Sequence, residues 1–158
     1  MLIKTTRFGD IDINDADIIL FPEGLIGFHE ARRFVILNHK QDKAFKWLQN
    51  VDDGALAFII VNPNQFMVEY APEFLKTDLD FFQVEKGNEL EIYSIVVVPK
   101  DPLKMSANLL GPIVINPKNH LGKQIILSTG QYTTCHYIVD EIIANSRGVN
   151  NACVVQKT

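Results

Sequence analysis

The acidic run DIDINDAD, residues 10–17, has side chains of the kind that bind calcium through oxygen. Asp10, Asp12 and Asn14 match the first three ligand positions of the twelve-residue EF-hand loop. The sixth position requires glycine and holds Asp15, and the twelfth requires glutamate and holds Phe21. The flanking residues alternate as in a strand rather than a helix. The sequence therefore predicts exposed acids on a strand edge, and no metal site.

Cys135 and His136 combine a nucleophile with a base, as a cysteine enzyme does. Adjacent residues on a strand point to opposite faces, so the two side chains cannot share a hydrogen bond there. The second cysteine, Cys153, lies 18 residues further on and forms no C-x-x-C pair. We expect two free thiols in a protein of a reducing compartment.

The pair Gly122-Lys123 has the composition of the end of a phosphate-binding loop. That loop needs glycine five residues earlier, where Pro117 stands, and Ser or Thr next, where Gln124 stands. No G-x-G-x-x-G motif occurs either. The sequence therefore gives no support for nucleotide binding, a cofactor or catalysis, and we expect a protein that is not an enzyme.

The elements that would position these residues are mostly short strands. The segment DIDIN, residues 10–14, alternates polar and apolar, which places Ile11 and Ile13 towards a core. Asn62-Pro63 and Pro99 mark turns after two apolar runs. The predicted strands are Leu2–Arg7, Asp10–Asn14, Ile18–Phe21, Phe34–Asn38, Leu56–Val61, Glu91–Val98, Asn108–Asn116, Gln124–Leu127 and Thr133–Val139.

Helical patterns are limited to Pro72–Leu79 and Val139–Ser146, both too short to support a parallel βαβ sheet. Strands of four to eight residues separated by turns are typical of a sandwich or barrel. We therefore predict a mainly all-β, small β-barrel-like single domain with one or two short helices.

The chain has 158 residues, 47% of them hydrophobic and 22% charged, which suits one globular domain. We predict that residues 1–144 form this domain and that residues 145–158 are a variable or disordered tail. The apolar run Ile92–Pro99 is far too short to span a bilayer, and residues 1–12 contain no apolar segment of a signal peptide. A cytoplasmic location and no membrane association are expected.

The net charge of −4 is unevenly distributed along the chain. Residues 10–30 carry −6, residues 69–91 carry −5, and the remainder carries +7. Acidic segments disfavour direct contact with nucleic acid, because phosphate contacts need clustered Lys and Arg. They suit a basic protein partner. The alternative interpretation is a solvated acidic surface with no role beyond solubility.

The segment NLLGPIVIN, residues 108–116, is an apolar strand framed by two asparagines and interrupted by Gly111-Pro112. One interpretation is that the amides of Asn108 and Asn116 cap turns. The other is that Gly111-Pro112 breaks backbone pairing and leaves a sheet edge open to a partner strand. Tyr70, among acidic and proline residues, is expected to be exposed.

Four ordered segments together resemble the bacterial flagellar assembly factor FliW family. They are FPEGLIGFHEARRFVIL (21–37), FKWLQNVDDGALAFIIVNP (45–63), VVVPKDP (96–102) and NLLGPIVIN (108–116), with Tyr70 between the second and the third. The resemblance covers about residues 1–140, and it implies a small β-barrel-like fold and a cytoplasmic protein that is not an enzyme.

The resemblance further implies two partners. Proteins of this family bind the RNA-binding translational repressor CsrA and relieve repression of the flagellin message, and they bind flagellin in competition. Flagellin translation is thereby coupled to flagellin secretion. The expected contact residues are Asn108, Leu109, Leu110, Gly111, Pro112, Phe21, Pro22, Glu23, Gly24, Tyr70, Asp78, Asp80 and Glu89.

No cofactor or metal and a monomeric state are expected. The alternative interpretations are a flagellin-binding chaperone or structural β-module without CsrA antagonism, an enzyme of unrecognised type, and an oligonucleotide-binding barrel. The last would need a basic face with stacking aromatics, and only Tyr132 and Tyr137 lie in the basic half.

Overall fold

The computed structural model describes residues 1–39, 42–128 and 130–147. In these residues the chain forms eleven strands and two α-helices. The strands are β1 (Leu2–Thr5), β2 (Gly9–Asp12), β3 (Ile19–Leu20), β4 (Arg33–Asn38), β5 (Phe45–Asn50), β6 (Ala57–Val61), β7 (Glu91–Val97), β8 (Ser106–Ala107), β9 (Ile113–Asn116), β10 (Leu121–Gln124) and β11 (His136–Tyr137). The helices are α1 (Lys76–Phe82) and α2 (Ile138–Arg147).

Seven of the strands close into a barrel in the order β7-β6-β5-β4-β3-β10-β9. Closure comes from β7, which pairs with β6 along one part and with β9 along another, with Tyr93 opposite Ile113. Neighbouring strands are antiparallel except β3 and β10, which pair in parallel at Leu20 and Leu121. The short strands β8 and β11 extend the sheet from β7.

The barrel interior is filled by apolar side chains from alternate positions of its strands. Phe21, Phe34 and Ile60 are fully buried there. Phe21 lies against β10 at Gly122, where an added Cβ would be 2.5 Å from the phenyl ring. Gly122 therefore makes room for the side chain of Phe21 in the core. This explains the glycine of the Gly122-Lys123 pair without a phosphate-binding role.

Two further layers pack on the outside of the barrel. The β1–β2 hairpin covers one side, where Ile3 and Ile13 contact Val35 and Val51. The predicted alternation of residues 10–14 is confirmed: Ile13 is buried, Ile11 is half-buried, and Asp10, Asp12 and Asn14 are exposed.

The other outer layer contains both helices and the segment 63–70. Its buried side chains include Phe66, Met67, Tyr70 and Phe82, which pack against outward-facing residues of the barrel such as Val114. Helix α1 ends at Phe82 and is followed by Gln83, which adopts a left-handed conformation with φ 61°. Neither helix in the described residues is long and apolar enough to cross a membrane.

The predicted fold class is confirmed, since the structure is mainly β with a closed barrel and two short helices. Helix α2 runs through Arg147, and the rest of the predicted tail lies outside the described residues. The prediction of free thiols is wrong for Cys135, which is disulfide-bonded. Cys153 lies outside the described residues.

Candidate functional site

A tight turn at one end of the barrel holds an apolar side chain in solvent. The backbone N–H of Leu25 donates to the carbonyl of Phe28 at 3.0 Å, and the N–H of Phe28 donates back to Leu25 at 2.8 Å. Gly27, with φ +84°, has the positive φ that the third position of a type II turn requires. Ile26 occupies the second position and is 54% exposed. The turn therefore presents Ile26 at a fixed place.

Gly24 lets the chain fold back closely on this turn. Its φ is +67°, a backbone conformation that residues other than glycine rarely adopt. An added Cβ would lie 2.5 Å from the carbonyl oxygens of both Phe28 and His29. The glycine is therefore required for conformation and for space, and it fixes the turn against the following residues.

Strand β10 attaches the turn to the barrel through Gln124. The Gln124 side chain accepts a hydrogen bond from the Ile26 backbone N–H at 2.9 Å and donates one to the Gly111 carbonyl at 3.0 Å. A Cβ on Gly111 would be 3.2 Å from Cδ1 of Ile126, which is 58% exposed. Two exposed isoleucines, Ile26 and Ile126, thus neighbour the same hydrogen-bonded junction.

Lys123 lies beside this junction and joins two of the predicted segments. Its Nζ is 3.4 Å from Glu23 Oε2 and 3.6 Å from Asp78 Oδ1, and it lies 5.2 Å from the centre of the Phe81 ring. Glu23 remains largely exposed, whereas Asp78 is buried. We call Glu23, Ile26 and Ile126 the turn face, which is an apolar surface with an acid at its side.

Several predicted contact residues are in the core. Phe21, Tyr70 and Leu109 are each at most 3% exposed, and Gly24 and Pro112 are buried. The expectation that Tyr70 is exposed is wrong. Its hydroxyl donates to the Leu109 carbonyl at 2.7 Å, and burial raises the pKa of the phenol.

The prediction of an open edge at Gly111-Pro112 is also wrong, because the backbone there is paired. The Leu110 and Pro112 carbonyls accept hydrogen bonds from Leu127 and Ile125 at 2.9 and 3.0 Å. Leu110 itself is half-buried against the outer core. An incoming strand would find these carbonyls already used.

The alternative interpretation of the asparagines is confirmed. Asn108 Oδ1 accepts from the N–H groups of Leu110 and Gly111 at 3.1 and 2.8 Å. Asn116 Oδ1 accepts from Lys118 N–H at 2.9 Å, and its Nδ2 donates to the Phe82 carbonyl at 2.7 Å.

The predicted acids differ in accessibility. Asp78 is buried beside Lys123 and accepts a hydrogen bond from the Leu75 N–H at 3.2 Å. Asp80 and Glu89 are exposed, and Glu89 lies 4.0 Å from Lys118 Nζ. The accessible members of the predicted set, among them Pro22, Glu23, Asp80 and Glu89, remain predictions as contact residues.

Sequence reasoning missed Gln124 and Ile126 as parts of this surface. Their position next to Gly111 results from pairing between distant segments, which no local pattern shows. Asn50 was missed as well, although N-x-D-D is the kind of pattern that forms a turn capped by an asparagine side chain.

Comparison with known proteins assigns the chain to a family. The family model described as "FliW protein" matches residues 2–138. The chain belongs to the FliW family. A flagellar assembly factor FliW from Alkaliphilus metalliredigens is 43% identical over 143 residues, which cover 90% of this chain and 88% of that protein. Another from Ruminiclostridium cellulolyticum is 41% identical over 145 residues, covering 90% and 97%.

The fold agrees with this assignment. A crystal structure of the flagellar assembly factor FliW superposes with a TM-score of 0.82 at 34% identity, covering 87% of this chain and 96% of that one. The resemblance inferred from the four sequence segments is confirmed, and it supports a role in flagellar assembly.

Proposed function

We propose that this FliW-family chain is a non-enzymatic regulator of flagellar assembly that works in the cytoplasm by binding proteins. It binds the translational repressor CsrA and releases the flagellin message from repression. It also binds flagellin, which competes with CsrA. Flagellin that has not been secreted therefore occupies the regulator, and repression by CsrA returns.

The observation that carries the proposal is the turn face, taken with family membership. Ile26 is held in solvent by two backbone hydrogen bonds, a left-handed glycine and a glutamine from β10. An exposed apolar side chain on a fixed backbone loses little conformational entropy on binding, which favours protein recognition. Glu23 beside it adds an acid suited to a basic partner.

The acidic segment 69–91 supports the choice of CsrA. An RNA-binding repressor carries basic surface, and opposite charge speeds association and orients the encounter. Asp80 and Glu89 are the exposed predicted contacts of this segment. Next to the RNA-binding surface of CsrA, they would repel RNA phosphates as well as bind CsrA. The chain would act without cofactor, metal, membrane or direct nucleic-acid contact, and as a monomer.

The proposal is tested with a fluorescent flagellin leader RNA bound to CsrA. Adding this protein should release the RNA, and adding monomeric flagellin should restore RNA binding by CsrA. If the RNA stays bound while flagellin still binds this protein, the alternative of a flagellin-binding chaperone without CsrA antagonism replaces the proposal.

The role of the acids is tested by Asp80→Lys with Glu89→Lys. Both side chains are exposed, so reversal changes charge without burying a lysine, whereas reversing Asp78 would place a lysine in the core beside Lys123. We expect weaker CsrA binding with a smaller salt dependence. Unchanged affinity at low salt would remove these acids from the interface.

A further inference from the structure

A second surface begins at Gly27, the residue of the turn that follows Ile26. It is a cleft of about 570 Å³ between residues 27–31 and residues 50–56. Phe28, Ala31 and Leu56 supply apolar surface, and Asn50, Asp53 and Glu30 supply polar groups. Two of the segments that carry the family resemblance, 21–37 and 45–63, therefore meet in one cavity.

Asn50 contributes a hydrogen-bond donor that has no acceptor in the described chain. The residue is only 2% exposed, yet it lines the cleft. Its Oδ1 accepts from the N–H groups of Asp52 and Asp53 at 2.8 and 2.7 Å, which fixes the orientation of the amide. Its Nδ2 donates to no group among residues 1–39, 42–128 and 130–147. A donor that is nearly buried and unpaired gains the most free energy when a ligand supplies a carbonyl as its acceptor.

The carboxylates at the cleft differ in how far they are already paired. Asp52 accepts two hydrogen bonds from the Arg33 guanidinium, one from Nε at 3.1 Å, and this lowers the pKa of Asp52. Within the described residues, the Asp53 carboxylate accepts only the Ala55 N–H, at 3.0 Å, and Glu30 has no ion pair. Two uncompensated acids thus border the cleft and favour a cation.

The apolar part of the cleft leaves part of the Phe28 ring open to contact with a ligand side chain. Phe28 is 43% exposed and its ring packs edge-on against Phe58, with centroids 5.3 Å apart. Leu56 and Ala31 are half-buried beside it. Phe28 is therefore held by a second ring while one of its surfaces stays open to a partner.

We propose that this cleft binds a segment of a partner protein in which an apolar residue stands next to Lys or Arg. The apolar side chain packs on Phe28 and Leu56, a backbone carbonyl accepts from Asn50 Nδ2, and the cation lies near Asp53 and Glu30. Anionic ligands such as nucleotides are disfavoured by the same acids. The inference goes beyond the proposed function, because it does not depend on which protein carries the segment.

The probe is the blocked tetrapeptide glycyl-leucyl-arginyl-glycine, titrated into the ¹⁵N-labelled full chain and followed by NMR. A ligand this small should bind with a Kd of about 1 mM. We expect shifts for the Asn50 side-chain amide and for the backbone of residues 28–31 and 52–56. The matched peptide with glutamate in place of arginine should bind about tenfold more weakly, because attraction to two exposed acids becomes repulsion.

A pair of variants tests the contribution of the negative charge of Asp53. Asp53→Asn keeps an oxygen to accept from Ala55 N–H and should weaken the arginine peptide about twofold to fivefold. Asp101→Asn is the control, since Asp101 caps Leu103 N–H at the same 3.0 Å and lies outside the cleft. It should leave the affinity unchanged.

Three results would overturn the proposal. They are no shift in the cleft at peptide concentrations about tenfold above 1 mM, equal shifts with the glutamate peptide, and equal weakening by Asp53→Asn and Asp101→Asn. The titration contains neither CsrA nor flagellin, so its failure is distinct from failure of the proposed function.

Discussion

Replacing Gly24 by alanine tests whether the turn is held in place by close backbone approach. The chain provides a matched control, because Gly9 has nearly the same φ, +68° against +67°, but nothing lies within 4 Å of its added Cβ. At Gly24 the added Cβ would lie 2.5 Å from the carbonyl oxygens of Phe28 and His29. Both variants impose the same backbone strain, and only one creates a collision.

The size of each effect follows from these contacts. Left-handed strain costs about 1–2 kcal/mol, and the stiffer unfolded chain offsets about 0.4–1 kcal/mol, so Gly9→Ala should cost between about 0 and 1.6 kcal/mol. In Gly24→Ala the Phe28 carbonyl must move, although it accepts from Leu25 and Ala31 at 3.0 and 3.1 Å. Losing both hydrogen bonds adds about 1–3 kcal/mol.

The assay is urea unfolding followed by the fluorescence of Trp47, the only tryptophan. Gly24→Ala should lower the free energy of unfolding by about 2–4 kcal/mol with an unchanged slope on urea concentration. If the two variants cost the same within about 0.5 kcal/mol, the close approach at Gly24 has no energetic role and the reasoning about the turn is refuted.

Three other variants test separate parts of the account. Ile26→Ser removes an apolar side chain that is 54% exposed. Full burial of isoleucine contributes about 1.5–3 kcal/mol, and the exposed half of the side chain contributes about half of that, so the Kd for CsrA should rise roughly fourfold to fifteenfold. The melting temperature should be unchanged. Tyr70→Phe deprives the Leu109 carbonyl of its donor and should cost about 1–3 kcal/mol in urea unfolding; no measurable cost would contradict the buried hydrogen bond. Asp52→Asn should reduce stability at pH 7 by no more than about 1 kcal/mol, because Arg33 and Asp52 are 42% and 57% exposed. The pKa of Asp52 is lowered by Arg33, so the contribution is present above the unfolded pKa of about 3.9 and is lost as the pH falls through the folded pKa; an equal difference at about pH 2 would contradict the ion pair.

Local patterns predicted most of the longer strands and the turn caps, because these depend on neighbouring residues. They missed β5 (Phe45–Asn50), and they placed a strand at 124–127, whereas β10 is Leu121–Gln124. The alternation of residues 10–14 reflects the two-residue period of a strand, and it places Ile13 in the core as expected. The caps at Asn108 and Asn116 depend on N–H groups two or three residues away. Both helices also lie close to their predicted segments.

Features that depend on distant segments were not predictable in the same way. Closure of the barrel requires β7 to pair with both β6 and β9. The carbonyls around Gly111-Pro112 are used by residues 125–127, so a local signal for a broken strand did not produce an open edge. Tyr70 has polar neighbours in sequence, but its ring is buried in the outer core, and its hydroxyl donates to the Leu109 carbonyl, 39 residues away.

The family could be inferred from ordered motifs, whereas the surface within it could not. Motif residues such as Phe21 and Leu109 serve the core. The accessible positions, Ile26 and Ile126, each neighbour the junction between Gln124 and Gly111, which local sequence does not reveal. A list of motif residues therefore mixed core with surface, and only three-dimensional pairing separates them.

Our proposal that this chain acts by binding CsrA is tested most directly by titration calorimetry against CsrA from the same genome. The titration is made at two salt concentrations, near 50 mM and near 500 mM, which change the Debye length about threefold. We predict tight binding that weakens at the higher salt, since acidic surface meets basic surface. Absence of binding at both concentrations would contradict the claim and leave flagellin binding as the function to be tested.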